Sequence, residues 1–387
     1  MVPCGPSKTK PLLKGISANV EAGHVLAILG PSGAGKTTLL NMLTLEKKGG
    51  APSGILKLNG HPFTLDMYKK NCAYVQQNDA LWACLNARDH LQYAYALFQP
   101  DLAKAARDAA IDDILDTLGL TDSQTIKAGN QFFRGLSGGL KRRLSIGVAL
   151  AKQPLVLYLD EPTTGVDSAS AAMIMTFLKQ IASKREIAVL CTIHQPPASV
   201  FNGFDNALIL ASGRIAYFGA AKEMSTYFAA LGKTPPPGVN MAEYALDLVN
   251  RDFASPASVD AILDAWVLSP QGSAATEAIA VTALPAPPRR AGFCSQVATL
   301  THRAFFVAMR EPIQYTGRMV VIVFTIAFFS ILFLTSRKLV QDQVQIRAFY
   351  LIFALSIPAQ VCTPLQPTSM AIKARAHRTL PPMFSSH

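Results

Sequence analysis

VLAILGPSGAGKTTLL, residues 25–40, decides the fold class. VLAILG (25–30) is a short apolar run ending in glycine and reads as a buried strand. The residues after it open a helix. Between them Gly30-Pro31-Ser32-Gly33-Ala34-Gly35-Lys36-Thr37 fits G-x-x-x-x-G-K-[ST] in the strand-to-helix context that pattern requires. Glycines let backbone N–H groups curl around phosphates, and the helix N-terminus adds positive potential. Lys36 is placed to reach the β- and γ-phosphates of a nucleotide. The Thr37 hydroxyl is placed to ligate Mg²⁺, and Thr38 continues the same phosphate-binding turn. A glycine-rich turn with a chance lysine is the bland alternative, and the flanking strand and helix argue against it.

Outward from this loop, residues 12–230 alternate strand-like and helix-like segments, the pattern of an α/β domain. LVLYLD (155–160) and IAVLCTI (187–193) are apolar runs typical of central parallel strands. GILKLNG (54–60) alternates and predicts a half-exposed strand with a turn at Asn59-Gly60. Residues 86–118 carry two helical patterns split at Pro100-Asp101, with Ile111, Leu115 and Leu118 on one face. Residues 206–219 predict a hairpin turning at Ser212-Gly213.

Further motifs carry chemistry. LVLYLD ends in Asp160 and is followed by Glu161. Asp160 is placed to hold a Mg²⁺ shell, and Glu161 to polarise water for in-line attack. An apolar strand ending in two acids is usually structural, but after a P-loop the functional reading is favoured. Ser137-Gly138-Gly139 opens a helical run as a second anion nest, separate from the first, which suggests a nucleotide sandwiched between two chains. A plain N-cap is the alternative. His194 follows the strand 187–193 and is expected beside the γ-phosphate site. Gln77, after CAYVQ, is expected to meet Mg²⁺ or its water. Either residue standing alone would read as an ordinary surface side chain.

The 387 residues include 50% hydrophobic and only 16% charged, with formal net charge +11. Soluble domains usually carry about 25% charged residues, so a membrane-embedded part is expected. The basic balance suits anionic partners, but no aromatic-basic interleaving speaks for nucleic acid. Six cysteines without a CxxC pair read as reduced cytosolic thiols. Residues 253–291, rich in Ala, Pro and Ser, predict a linker low in helix. A basic amphipathic helix is expected over 293–318, a membrane span at 319–335 and a second candidate at 348–362.

Taken in order, the P-loop, Gln77, LSGG, LYLDE, Asp167 in GVDS and His194 resemble the Walker A, Q-loop, signature, Walker B, D-loop and switch histidine of an ABC ATPase. TIHQPPASVFNGFDNALILASGRIAYFG, NMAEYALDLVN and AMREPIQYTGRMV are similar to the white-type ABCG half-transporters. The resemblance implies an α/β P-loop NTPase with a helical subdomain at about 86–150, all within 1–250. A linker (251–292), a connecting helix (293–318) and α-helical transmembrane segments (319–362) would follow, leaving 363–387 unassigned. It also implies ATP and Mg²⁺ as ligands, and a homodimer or heterodimer with another ABCG-like half-transporter. In that dimer Lys36, Thr37, Gln77, Asp160, Glu161 and His194 of one chain meet Ser137, Gly138 and Gly139 of the other. The implied protein is a multi-pass membrane exporter of lipids, sterols or hydrophobic compounds, in contact with membrane lipid, its ATPase domain cytoplasmic. Leu140 departs from the family's Gln or Glu after SGG. The family's membrane domain has six helices, so an incomplete chain is expected. A truncated, non-transporting partner of full-length subunits and a soluble ABC ATPase are the alternative readings.

Overall fold

A parallel strand buried on both faces must pair along both edges and be covered on both sides, and VLAIL meets that demand as β1 (Val25–Leu29), every residue buried. The computed structural model describes residues 11–45, 53–130, 133–270, 281–286, 288–310 and 312–332, with a few more between 345 and 352. After β1 come α1 (Lys36–Leu43), β2 (Lys57–Leu58), β3 (His61–Pro62), α2 (Leu65–Asn71), β4 (Cys72–Val75), α3 (Ala87–Phe98), α4 (Lys104–Thr117) and α5 (Gly138–Leu150). Then follow β5 (Val156–Asp160), α6 (Ser168–Arg185), β6 (Ala188–Thr192), α7 (Ala198–Phe201), β7 (Asn206–Ala211), β8 (Arg214–Ala220), α8 (Met224–Ala230), α9 (Met241–Val249) and α10 (Pro256–Leu268). The main sheet has six strands in the order β4-β5-β6-β1-β7-β8. All its pairings are parallel except β7 with β8.

The expected central strands and the closing hairpin are present. Ser212 and Gly213 both have positive φ, 50° and 77°, as a tight hairpin turn needs. The strand expected at 54–60 is shorter: β2 and β3 pair over two residues each, around a turn at Asn59 and Gly60 (φ 49° and 79°). The helices α3, α4 and α5 pack on one another, with Ile111, Leu115 and Leu118 buried. Asp113 of α4 accepts hydrogen bonds from Lys184 (3.0 Å) and Arg185 (2.6 Å) of α6. The Lys184 hydrogen bond, helped by the Arg185 charge, holds the Asp113 carboxyl below its usual range.

The expected linker is corrected at 256–268. That segment is α10, capped by Ser255, whose side chain accepts from the Ser258 N–H, and opened by a proline in its first turn. Val259, Ile262, Leu263 and Trp266 are buried along one face, the i, i+3, i+4, i+7 pattern of an amphipathic helix. The Trp266 ring lies edge-on to Tyr217 of β8 (5.9 Å) and Tyr227 of α8 (5.6 Å), and Arg214 pairs with Asp264 at 2.6 Å. Ala, Pro and Ser around this helix hid its period. Further on, residues 281–291 touch earlier elements: the Thr282 N–H donates to the Asn59 carbonyl and the Ala291 N–H to the Leu97 carbonyl, both at 3.2 Å.

The chain divides into two units, Met1–Thr301 and His302–His387. The division falls within α11 (Phe293–Arg310), which is followed by α12 (Pro312–Leu332). The described residues of the segment expected as a helix, 293–318, are helical, in α11 and the start of α12, and Glu311 lies outside the described residues. Among the described residues no helix is long and apolar enough to cross a membrane. The span expected at 319–335 is described only as far as Leu332, where it forms the later part of α12. Met319, Val320, Val323, Phe324, Phe328 and Ile331 are exposed along it. Most of the second candidate, 348–362, and all of 363–387 lie outside the described residues.

Two outcomes are expected. Trp266→Ala should destabilise the domain by about 3–5 kcal/mol in chemical denaturation, whereas a linker residue would change stability by about 0.5 kcal/mol or less. Asp113→Asn should cost about 0.5–1 kcal/mol at pH 7. Because the folded carboxyl titrates below its unfolded value, that stabilisation is complete above the unfolded pKa of about 3.9. The gap between variant and parent should therefore close as the pH falls through the lower, folded value.

Candidate functional site

Pairing in register brings the C-terminal ends of β1, β5 and β6 to one edge of the sheet. Ile28 stands opposite Thr192, and Thr192 opposite Asp160. In an open α/β sheet this edge is where ligands bind. The expected P-loop connects β1 to α1 there. Gly30 comes so close to β7 that a Cβ would sit 2.4 Å from the Leu210 carbonyl oxygen. Gly35, the N-cap of α1, has φ 108° and supplies no side-chain cap, so the first N–H groups of α1 remain available to an anion. The loop is braced from behind: the Gly213 N–H of the β7–β8 turn donates to the Ala34 carbonyl (3.0 Å), and the Lys14 N–H to the Gly213 carbonyl (2.7 Å). Ser32, Gly33 and Thr37 are exposed, Pro31 and Thr38 half-buried, and Ala34 buried.

Lys36 is 8% exposed, and its Nζ donates to the carbonyls of Gly30 (2.5 Å) and Pro31 (3.1 Å). Burial lowers its pKa, and the negative charge of Glu161 opposes that shift. Asp160 is held on both oxygens: the Thr192 hydroxyl donates to Oδ1 (2.7 Å) and the Tyr74 hydroxyl to Oδ2 (3.0 Å). A carboxylate offers about four lone-pair sites, so each oxygen keeps room for another partner. Glu161 has φ 46°, left-handed for a residue with a side chain. Its Oε2 accepts from Gln77 Nε2 (2.8 Å) and Thr164 Oγ1 (3.1 Å).

Lys36, Gln77, Asp160 and Glu161 are thus brought together. His194 lies in the loop directly after β6, with its ring exposed. The signature residues lie elsewhere, against other parts of the same chain. Ser137 caps α5, accepting from the Leu140 N–H (3.4 Å). Gly138 faces Gly165 and Val166, and Gly139 packs near Ser170. Asp167 caps α6 by accepting from the Ser170 N–H (2.9 Å), which lowers its pKa. Leu140 is half-buried against the core.

Sequence reasoning missed Tyr74 and Thr192, which hold Asp160. It also missed Arg142, 3% exposed, which donates to the carbonyls of Asp160 and Glu161 (2.8 Å each), Pro162 (3.2 Å) and Gln76. KRR at 141–143 reads in isolation as a solvated basic stretch.

Comparison with known proteins follows the same residues. Residues 13–164 match the ABC transporter family model, and residues 194–267 match that of the ABC-2 type transporter. The chain belongs to the ABC transporter family. The ABC-2 match covers β7, β8 and α7 to α10 rather than 319–362. The chain is 40% identical over 253 residues to ABC transporter G family member 7 of Arabidopsis thaliana, 64% of this chain and 34% of that protein. It is 38% identical over 253 residues to the broad substrate specificity ATP-binding cassette transporter ABCG2 of Sus scrofa, 65% of this chain and 38% of that protein. It is also 38% identical over 273 residues to an uncharacterized ABC transporter ATP-binding protein/permease of Saccharomyces cerevisiae, 67% of this chain and 21% of that protein. This ABC transporter chain therefore spans between a fifth and two fifths of the length of these relatives.

Proposed function

We propose that this chain binds and hydrolyses MgATP at the loop after β1, as the ATPase subunit of a G-type ABC exporter. The observation that carries the reading is the meeting of Lys36, Gln77, Asp160 and Glu161 at one sheet edge beside an uncapped helix N-terminus. Lys36 exchanges the Gly30 and Pro31 carbonyls for phosphate oxygens, a charge-assisted contact. The N–H groups from Gly33 to Thr38 cradle the rest of the triphosphate. Asp160, Thr37 and the amide oxygen of Gln77 form a set of hard oxygen donors of the kind Mg²⁺ takes alongside nucleotide phosphates. Bound there, Mg²⁺ neutralises charge developing on the phosphate oxygens.

Glu161 accepts the proton of the attacking water. Gln77 and Thr164 occupy its Oε2, which leaves Oε1 for that transfer. His194, exposed after β6, stabilises the γ-phosphate end of the site. Ser137, Gly138 and Gly139 pack beside residues 165–170 and are not among the groups that meet at Lys36, which supports their use on the nucleotide of a second, head-to-tail subunit, a further copy or another G-type chain. Asp167, at the start of α6, joins them at that interface. Residues beyond 301 attach this motor to a membrane, with the ATPase on the cytoplasmic side. The name of the Sus scrofa relative points to broad substrate specificity; for this chain, lipids, sterols or other hydrophobic compounds are the substrate class proposed.

Lys36→Ala should weaken MgATP binding by about 1.5–3 kcal/mol in titration calorimetry; an unchanged affinity would count against the P-loop assignment. Glu161→Gln keeps size and shape but loses the proton acceptor. It should bind MgATP like the parent and turn it over at least about a hundredfold more slowly in a phosphate-release assay. Turnover at the parent rate would remove Glu161 from its role.

A further inference from the structure

We propose that Arg142 is a positioning residue for hydrolysis, holding Glu161 and Gln77 in working order through their backbone. The proposal rests on the reading of Glu161 as the proton acceptor. Arg142 lies on α5, little more than one helical turn past Ser137, and its guanidinium spends its donors on one small region. Nη2 donates to the Asp160 and Glu161 carbonyls, Nε to the Pro162 carbonyl, and Nη1 to the Gln76 carbonyl and to Asp79 Oδ1 at 3.3 Å. The first three acceptors are consecutive, the last residue of β5 and the two that follow it. The fourth immediately precedes Gln77. One planar fork therefore fixes the backbone on both sides of the Gln77–Glu161 hydrogen bond.

Glu161 needs such a hold. With φ 46° it occupies a conformation that a residue with a side chain keeps only when its surroundings over-determine it. Its own N–H is engaged by the Thr192 carbonyl and hydroxyl, both at 3.1 Å. Its carbonyl is engaged by Arg142. The peptide is thus pinned from the sheet on one side and from α5 on the other. Because α5 begins with the Ser137-Gly138-Gly139 segment, a displacement of that helix start reaches Glu161 through a single side chain. Lysine cannot replace the fork, since an ammonium is a point charge without its planar geometry.

The test uses the purified full chain carrying Arg142→Lys, Arg142→Met or Asp79→Asn, each alone and combined with Glu161→Gln. The readouts are the MgATP Kd, steady-state kcat and KM, and Tm. Arg142→Lys should keep Kd within about twofold of the parent while kcat falls about ten- to a hundredfold, the scale on which small misplacement of a reacting group acts. In the Glu161→Gln background the same substitution should cause no further loss in single-turnover rate, because the group it positions is gone. An unchanged kcat, a change confined to KM, or an equal loss with and without Glu161 would overturn the proposal. Should the Arg142 variants fail to fold, Asp79→Asn decides, since it removes the charge of one contact and leaves the carbonyl bonds. A fall in kcat of about threefold or more at constant Kd and Tm supports the proposal, and an unchanged kcat overturns it. If Glu161→Gln alone hydrolyses at the parent rate, the functional reading fails first, and the role of Arg142 fails with it.

Discussion

The pairing of β1 with β6 on one side and β7 on the other is the constraint to which the rest of the unit answers. A strand paired along both edges and buried on both faces cannot slip by a residue without turning its side chains to the wrong layer. Ile28, Thr192 and Asp160 are thereby held level. The loops that leave these strands start from fixed points at one edge, and Lys36 and Glu161 come close enough to feel each other's charge. Beyond what that register delivers, the chemistry proposed for this edge draws on Gln77 from the loop after the neighbouring strand β4 and on α5.

Around that edge the polar groups are organised by reach rather than by number. Thr192 serves twice, donating through its hydroxyl to Asp160 and accepting from the Glu161 N–H. Tyr74 reaches Asp160 from β4. The two acids are adjacent in sequence yet differently held: Asp160 by hydroxyl donors from the sheet, Glu161 by an amide and a hydroxyl from loops. That difference suits the separate roles proposed for them, one beside a cation and one facing water.

Much of this was legible in the sequence where a local chemical demand selects residue types. The P-loop, the strand ending in Asp160-Glu161 and the Ser212-Gly213 turn each show in a short window. What could not be read depended on distance along the chain or on a misleading composition. Arg142 meets the carbonyl of Gln76, 66 residues away, and nothing in KRR announces that. The α10 helix sits amid Ala, Pro and Ser, and only the spacing of Val259, Ile262, Leu263 and Trp266 betrays it. The apolar run from Met319 was legible, and the helix that carries it begins earlier, at Pro312.

The brace behind the P-loop changes what kind of object that loop is. The Ala34 carbonyl takes the Gly213 amide, Gly213 in turn holds Lys14, and a Cβ at Gly213 would collide with the Leu12 carbonyl. A segment so rich in glycine would otherwise wander through many backbone states. Tied to a hairpin on one side and to the residues before β1 on the other, it gives up that freedom when the domain folds rather than when a phosphate arrives. The ordering entropy is then charged to folding stability, and an incoming anion meets amides already aimed. Residues 12–14, remote from any chemistry in the sequence, become part of what sets affinity for phosphate.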